Sequence, residues 1–206
     1  FWKPLDKNTS RNLFKLPNNK KIILIGSVEF DKKRKGDLLI KKILKKIKTK
    51  NVIIVFFGRK NENFKLDLEN FESIYLNEIK SDTIDLKTIY SASDLFIAPS
   101  IQESFGQTVL EAASCCLPTV CFENNGMNEI VKHQINGYLV KQNDLNNFAE
   151  GIDWCLENLD KLNIKNNVKI IEDKFSNFKI GSEYKKLYEE ILKKKLLKIY
   201  LFKIFS

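Results

Sequence analysis

Short, uninterrupted apolar runs recur along this chain, each parted from the next by a stretch of helical period. Ile22–Ile25, Val52–Phe57 and Leu95–Ala98 are the clearest of them. A strand that does not alternate polar and apolar residues is buried on both faces. That arrangement belongs to parallel sheets covered by helices on both sides. Weaker strand patterns follow at Ser73–Leu76, Pro118–Phe122 and Gly137–Val140. Between them, Leu38, Leu39, Ile43, Leu44 and Ile47 share one side of a helix, and residues 84–91, 105–116, 128–132 and 145–159 read as further helices. The pattern predicts an α/β fold from about Lys21 onward, a doubly wound, Rossmann-like parallel sheet followed by C-terminal helices. The expected division is a ligand-binding domain over residues 1–183 and a basic amphipathic helix over 184–206.

Composition narrows the function. With 206 residues, 43% hydrophobic and 30% charged, the chain buries a sizeable core and is neither disordered nor fibrous. Its longest apolar runs are far too short to cross a bilayer. The net charge of +9 suggests nucleic acid, yet only three of the 35 cationic residues are Arg: Arg11, Arg34 and Arg59. Base-edge recognition leans on the forked guanidinium, which Lys does not replace, so no nucleic-acid partner is expected. A general attraction for anionic ligands remains. Cys115, Cys116, Cys121 and Cys155 lack C-x-x-C spacing and sit mostly in apolar runs, as buried thiols of a reducing, cytoplasmic setting do. Neither a metal nor a disulfide is expected. His133, the one histidine, reads as a surface residue at a helix end.

Ligands of open parallel sheets bind beyond the carboxyl ends of the strands. Gly26–Ser27, Gly58–Arg59, Pro99–Gly106 and Asn125–Gly126 all follow strand ends and would meet along that edge. Ser104 with Gln107 forms a capping-box pattern, which predicts a helix N-terminus near Phe105 and N–H groups aimed at an anion such as phosphate. Glu103, just before it, is either a solvated loop carboxylate or an acceptor of ligand hydroxyls. Glu111 lies among Val109, Leu110, Ala112 and Ala113. A carboxylate there costs several kcal/mol unless partnered. Two adjacent hydroxyls, as on a ribose, would satisfy it; so would a buried lysine.

Residues 90–129 carry a family resemblance. Tyr90-Ser-Ala-Ser-Asp94, Pro99-Ser100, Glu103-Ser-Phe-Gly106, Glu111-Ala-Ala-Ser-Cys115, Leu117-Pro118-Thr-Val120, Gly126-Met-Asn-Glu129 and Asn136-Gly-Tyr-Leu-Val140 resemble, in order and spacing, the donor-binding half of retaining glycosyltransferases of the GT-B fold, family 4. Ile25-Gly26 and Arg34-Lys35-Gly36 fit upstream, and the likeness covers roughly residues 10–160. It implies transfer of a sugar from a nucleotide diphosphate sugar (UDP-, GDP- or ADP-linked) to an acceptor hydroxyl, in cell-surface polysaccharide or glycolipid synthesis. It further implies Glu103 as the catalytic residue on the donor sugar and Glu111 on the ribose. Lys35 and Arg34 would serve the diphosphate, with Ser104, Phe105, Gly106 and Gln107 completing that site and Gly26, Ser27, Gly58 and Arg59 lining it. No metal or other cofactor is implied, because Lys and helix-end dipoles neutralise the leaving group.

The chain departs from the family pattern in three ways. Ser27 stands where Arg commonly follows the first-strand glycine, and Cys116 where a Gly precedes Leu117. The N-terminal, acceptor-binding domain is expected to lie outside this chain, so the Phe1 start reads as that of a fragment not active alone. The rival functions are a non-enzymatic nucleotide-sugar-binding module served by a separate acceptor chain, and a dinucleotide-dependent oxidoreductase. The second lacks a G-x-G-x-x-G. In the tail, Leu187, Tyr188, Ile191 and Leu192 share a face beside Lys185, Lys186, Lys193, Lys194 and Lys195. Such a helix packs on its own domain, crosses to the acceptor domain, or rests peripherally on the anionic inner face of a membrane.

Overall fold

The computed structural model describes residues 1–29, 35–59, 68, 71–123 and 126–205. Six strands, β1 (Lys21–Glu29), β2 (Val52–Arg59), β3 (Glu72–Leu76), β4 (Leu95–Ala98), β5 (Thr119–Phe122) and β6 (Gly137–Val140), form one parallel sheet. Its order is β3-β2-β1-β4-β5-β6. The doubly wound, Rossmann-like expectation is met. Helices α1 (Lys7–Leu13), α2 (Asp37–Leu44), α3 (Ile84–Ala92), α4 (Gln107–Ser114), α5 (Leu145–Glu157), α6 (Ile164–Phe175) and α7 (Asn177–Phe205) complete the chain, with a short 3₁₀ turn at Met127–Glu129.

The unbroken apolar strands have the cause expected of them. Ile23, Ile25, Ile54, Phe56, Ile97 and Phe122 point into one core with Ile40, Ile43 and Leu44 of α2 and Phe148, Ile152 and Leu156 of α5. The alternate set, Ile22, Leu24, Ile53, Val55, Phe57 and Phe96, is buried as well. On that side Tyr90 of α3 meets Phe57 and Phe96 edge-on, with ring centroids 5.9 and 5.8 Å apart.

Residues 1–168 form one compact unit and 169–206 a second. Within the second, Ile180, Tyr184, Leu187, Tyr188, Ile191 and Leu192 lie exposed at the spacing of one helical face of α7. Among the described residues no helix is long and apolar enough to cross a membrane.

α1 has no apolar periodicity. Asp6 caps it, its carboxylate accepting from Thr9 N–H at 2.8 Å. What holds it is charge: Arg11 is buried and its guanidinium lies 2.6 Å from the Asp94 carboxylate.

The helix over 105–116 is shorter than the sequence suggests, and the capping box does not form. α4 starts at Gln107 behind Gly106, which takes a left-handed conformation (φ 91°) and serves as the N-cap without a side-chain bond. Residues 104 and 105 stay outside the helix because their backbone lies against Gly126. A Cβ on Gly126 would sit 2.4 Å from Phe105 Cα.

At its other end, α4 explains the Cys116 departure. Cys115 is the C-cap and Cys116 follows with φ 58°, the left-handed position that glycine fills without strain. Cys116→Gly is expected to stabilise the protein by about 1 kcal/mol, less the entropy glycine returns to the unfolded chain. Denaturant titration reads this directly, and a loss of stability would contradict it.

Candidate functional site

The strand order reverses between β1 and β4, so the connections after these two strands splay to opposite faces and leave a crevice at their carboxyl ends. Lys35–Gly36 on one side and Pro99–Gly106 on the other border it. Gly36 takes φ 73° at the N-cap of α2 and backs onto the other loop, where a Cβ would fall 1.8 Å from the Pro99 carbonyl oxygen. Only glycine permits that approach. It brings Lys35 to Glu103: the ammonium and carboxylate are ion-paired, and both are largely withdrawn from solvent.

Glu111 lies one turn into α4 and is 4% exposed. Tyr90 Oη donates to its Oε2 at 3.1 Å and Gln107 Nε2 to its Oε1 at 3.2 Å. Of the two partners open to it on sequence, a lysine is not the one used: among the described residues no ion pair reaches it, and neutral donors hold it. Burial pushes its carboxyl above the ordinary value and Asp82 adds to the rise, while the bonds from Gln107 and Tyr90 oppose it. Burial, followed by the Glu111 charge, drives the Tyr90 phenol well above its ordinary value, so it stays a donor.

Other expected site residues fall at different distances from this centre. Ser104 and Phe105 are exposed beside Gly106, ahead of the first turn of α4, in which Val109 and Leu110 N–H donate to Gly106 C=O at 2.9 and 3.0 Å. Gly26 and Ser27 do not follow a strand; β1 runs on to Glu29, with a register irregularity after Gly26. Gly58 and Arg59 are likewise inside β2. Gly58 C=O accepts from Tyr75 Oη, and Arg59 pairs at 3.5 Å with Glu78, beyond β3 and one strand farther from the crevice. Arg34 and Asn125 lie outside the described residues. His133 accepts from Leu139 N–H through Nδ1 at 3.3 Å and packs on Tyr138, a structural role.

A cleft of ≈ 510 Å³ opens at the opposite edge, at the start of β2 and β3, lined by Lys20, Lys45, Lys50 and Phe71 among others. It lies at the amino ends of the strands, away from the topological switch, and we do not assign the ligand there. Burial raises the Cys115 and Cys155 thiols to about 12, so both are neutral at physiological pH.

The family model for glycosyl transferases group 1 matches residues 7–173, which span the sheet, Lys35, Glu103 and Glu111. The chain belongs to this family. An uncharacterised glycosyltransferase of Methanocaldococcus jannaschii is 27% identical over 191 residues, covering 88% of this chain and 48% of that protein. An Escherichia coli UDP-Gal:α-D-GlcNAc-diphosphoundecaprenol α-1,3-galactosyltransferase is 37% identical over 68 residues, 33% of this chain and 18% of its own. Among solved structures, Anabaena HepE in complex with UDP superposes with a TM-score of 0.77 at 22% identity, over 92% of this chain and 54% of that one. This group 1 glycosyltransferase chain thus spans about half the length of the curated relatives it matches.

In this group 1 chain the residues that the sequence reading missed are the ones that support the site. The sequence places Tyr90 in a motif, not as a donor to Glu111, and Gln107 as a ligand contact. An i, i+4 spacing on a helix does pair Gln107 with Glu111; no sequence rule pairs Tyr90 with it across two helices.

Proposed function

We propose that this chain is the donor-binding half of a retaining, family-4-like glycosyltransferase that takes the sugar of a nucleotide diphosphate sugar to an acceptor hydroxyl. One observation carries the reading: a carboxylate buried in the helix that follows β4 at the strand switch, held by neutral donors and, among the described residues, not ion-paired. Such a group is poised for a ribose diol. In this reading Glu103 meets the hydroxyls of the donor sugar and is the catalytic candidate. Lys35 and Arg34 neutralise the diphosphate, joined by Ser104, by N–H groups at Phe105 and Gly106, and by the first turn of α4 from Gln107. Gly26, Ser27, Gly58 and Arg59 line the approaches.

The acceptor-binding domain of such an enzyme, wherever it is encoded, completes the cleft, so this chain alone binds donor and turns over little. We assign the apolar stripe of α7 to that domain rather than to a lipid surface, since Glu183, Glu189 and Glu190 interrupt the basic residues of the helix. Flotation of the chain on anionic vesicles would overturn that assignment. The galactosyltransferase relative acts on a lipid-linked diphosphate sugar by its name, which supports a setting in cell-surface polysaccharide or glycolipid assembly.

Calorimetric titration with UDP, GDP and ADP tests the reading, and silence with all three would overturn it. The Lys35–Glu103 pair sharpens the test. Without ligand the diphosphate cation is occupied by the sugar-binding carboxylate, so Glu103→Ala is expected to bind the bare diphosphate more tightly, by about fivefold, as one partly buried pair is released. The same variant would lose the added affinity of the sugar.

A further inference from the structure

Two donors grip the carboxylate of Glu111, and the more deeply set of them is fixed by its surroundings. Tyr90 is wholly buried. Phe57, Phe96 and Trp2 meet its ring edge-on at 5.9, 5.8 and 6.0 Å between centroids. Its hydroxyl is therefore held by packing at 3.1 Å from Oε2, while Gln107, one helical turn before Glu111, holds Oε1 at 3.2 Å. A carboxylate offers about two lone-pair directions at each oxygen. Among the described residues one at each oxygen is taken and one at each is left, a matched pair for two neighbouring hydroxyls.

We propose that Tyr90, with Gln107, is a positioning residue that orients Glu111 so that its two open acceptor directions read the 2′- and 3′-hydroxyls of a nucleoside diphosphate together. The inference rests on the donor-binding reading above. It adds a specificity: ribose is selected over 2′-deoxyribose by an acceptor pair set before the ligand arrives.

Tyr90→Phe keeps the ring and its packing and removes only the donor. Among the described residues the groups facing Glu111 are Tyr90 on α3, Asp82 on the turn before it, Gln107 on α4 and Cys115 at the C-cap of α4, with Lys87 acting on Cys115 from α3. Of these, Tyr90 and Gln107 favour the ionised carboxylate and Asp82 opposes it. Without the phenol the carboxyl titrates higher still, so the pH below which nucleotide affinity fades moves upward.

The test is titration of the full chain, wild type and Y90F, with UDP, GDP and ADP, each beside its 2′-deoxy form, across pH 5 to 8. For the base that binds, Y90F is expected to lose about tenfold in affinity for the ribonucleotide and less for the deoxy form, with the midpoint shifted to higher pH. Equal losses for both sugars with an unmoved midpoint would mark Tyr90 as a packing residue and overturn the proposal. Gln107→Leu, on an exposed first turn, carries the same expectations if Y90F does not fold. Glu111→Gln separates the two failures. If it binds nucleotide as wild type does, the donor reading falls; if it loses binding while both donor variants behave as wild type, only this inference falls.

Discussion

Glu111→Gln is expected to abolish nucleotide binding while leaving the protein at least as stable at neutral pH. On the proposed reading the two effects have opposite signs, because the carboxylate would serve the ligand at the expense of the fold. Burial raises its folded value above the ordinary 4.5. The folded state therefore holds more protons than the unfolded chain as pH climbs from the ordinary value to the raised one, and stability falls across that window. Above the window, ionised Glu111 is a standing loss, which Gln does not incur. The amide also fits the same donors: its oxygen accepts from Tyr90, and the Gln107 amide turns over to accept its N–H. What it cannot offer is a charged acceptor pair for a diol. Two hydrogen bonds to a charged group contribute about 1.5–3 kcal/mol each, so the loss in affinity is about a hundredfold or more. Calorimetry with the binding diphosphate, alongside melting curves from pH 5 to 8, reads both signs. Retained affinity would remove the ribose assignment. A melting temperature well below wild type at pH 8 would show that the carboxylate is a structural group after all.

The fold was legible because its signals are local and repeated. Leu95–Ala98 and Gly137–Val140 were delimited to the residue: unbroken apolar content marks a strand buried on both faces, and Pro99 and Asn136 flank these two. Glu111 stands out for a different reason, since a carboxylate in apolar company needs an explanation wherever it occurs, and Glu103 for its place just ahead of the expected helix start. Two departures from the sequence pattern share one cause. The capping box at Ser104 failed and β1 ran past Gly26, because both points were decided by contacts distant in sequence. Gly126 presses on residues 104 and 105 from the connection after β5, and the end of β1 pairs with β2 at Arg59. The same limit hid α1. Seven residues without apolar period are helical because a cation among them reaches an acid 83 positions away.

That acid is the site of the largest expected loss of stability. Asp94 Oδ2 accepts from Arg11 Nη2 at 2.6 Å and from Ile22 N–H at 2.7 Å, and Oδ1 pairs with Lys7 Nζ at 2.6 Å. Arg11 in turn donates through Nε to Ala92 C=O at 2.9 Å and through Nη1 to Asn18 C=O at 3.1 Å. One buried carboxylate thus ties α1, the start of β1 and the entry to β4 into a single network, at the amino ends of the strands and away from the crevice. Asp94→Ala leaves a buried guanidinium without its counter-charge and the Ile22 amide without its acceptor. Breaking a buried pair by removing one partner costs about 3–5 kcal/mol, which for a domain of this size lowers the melting temperature by roughly 10 °C. Arg11→Met in the same chain as Asp94→Leu should recover most of that loss, because no charge is left stranded and the volume stays filled. Nucleotide affinity, measured below the melting range, should be unchanged in the double variant. A loss under 1 kcal/mol for Asp94→Ala, or no recovery in the double variant, would mean that α1 is held by packing alone and that the resemblance motif around Tyr90 carries Asp94 for another reason.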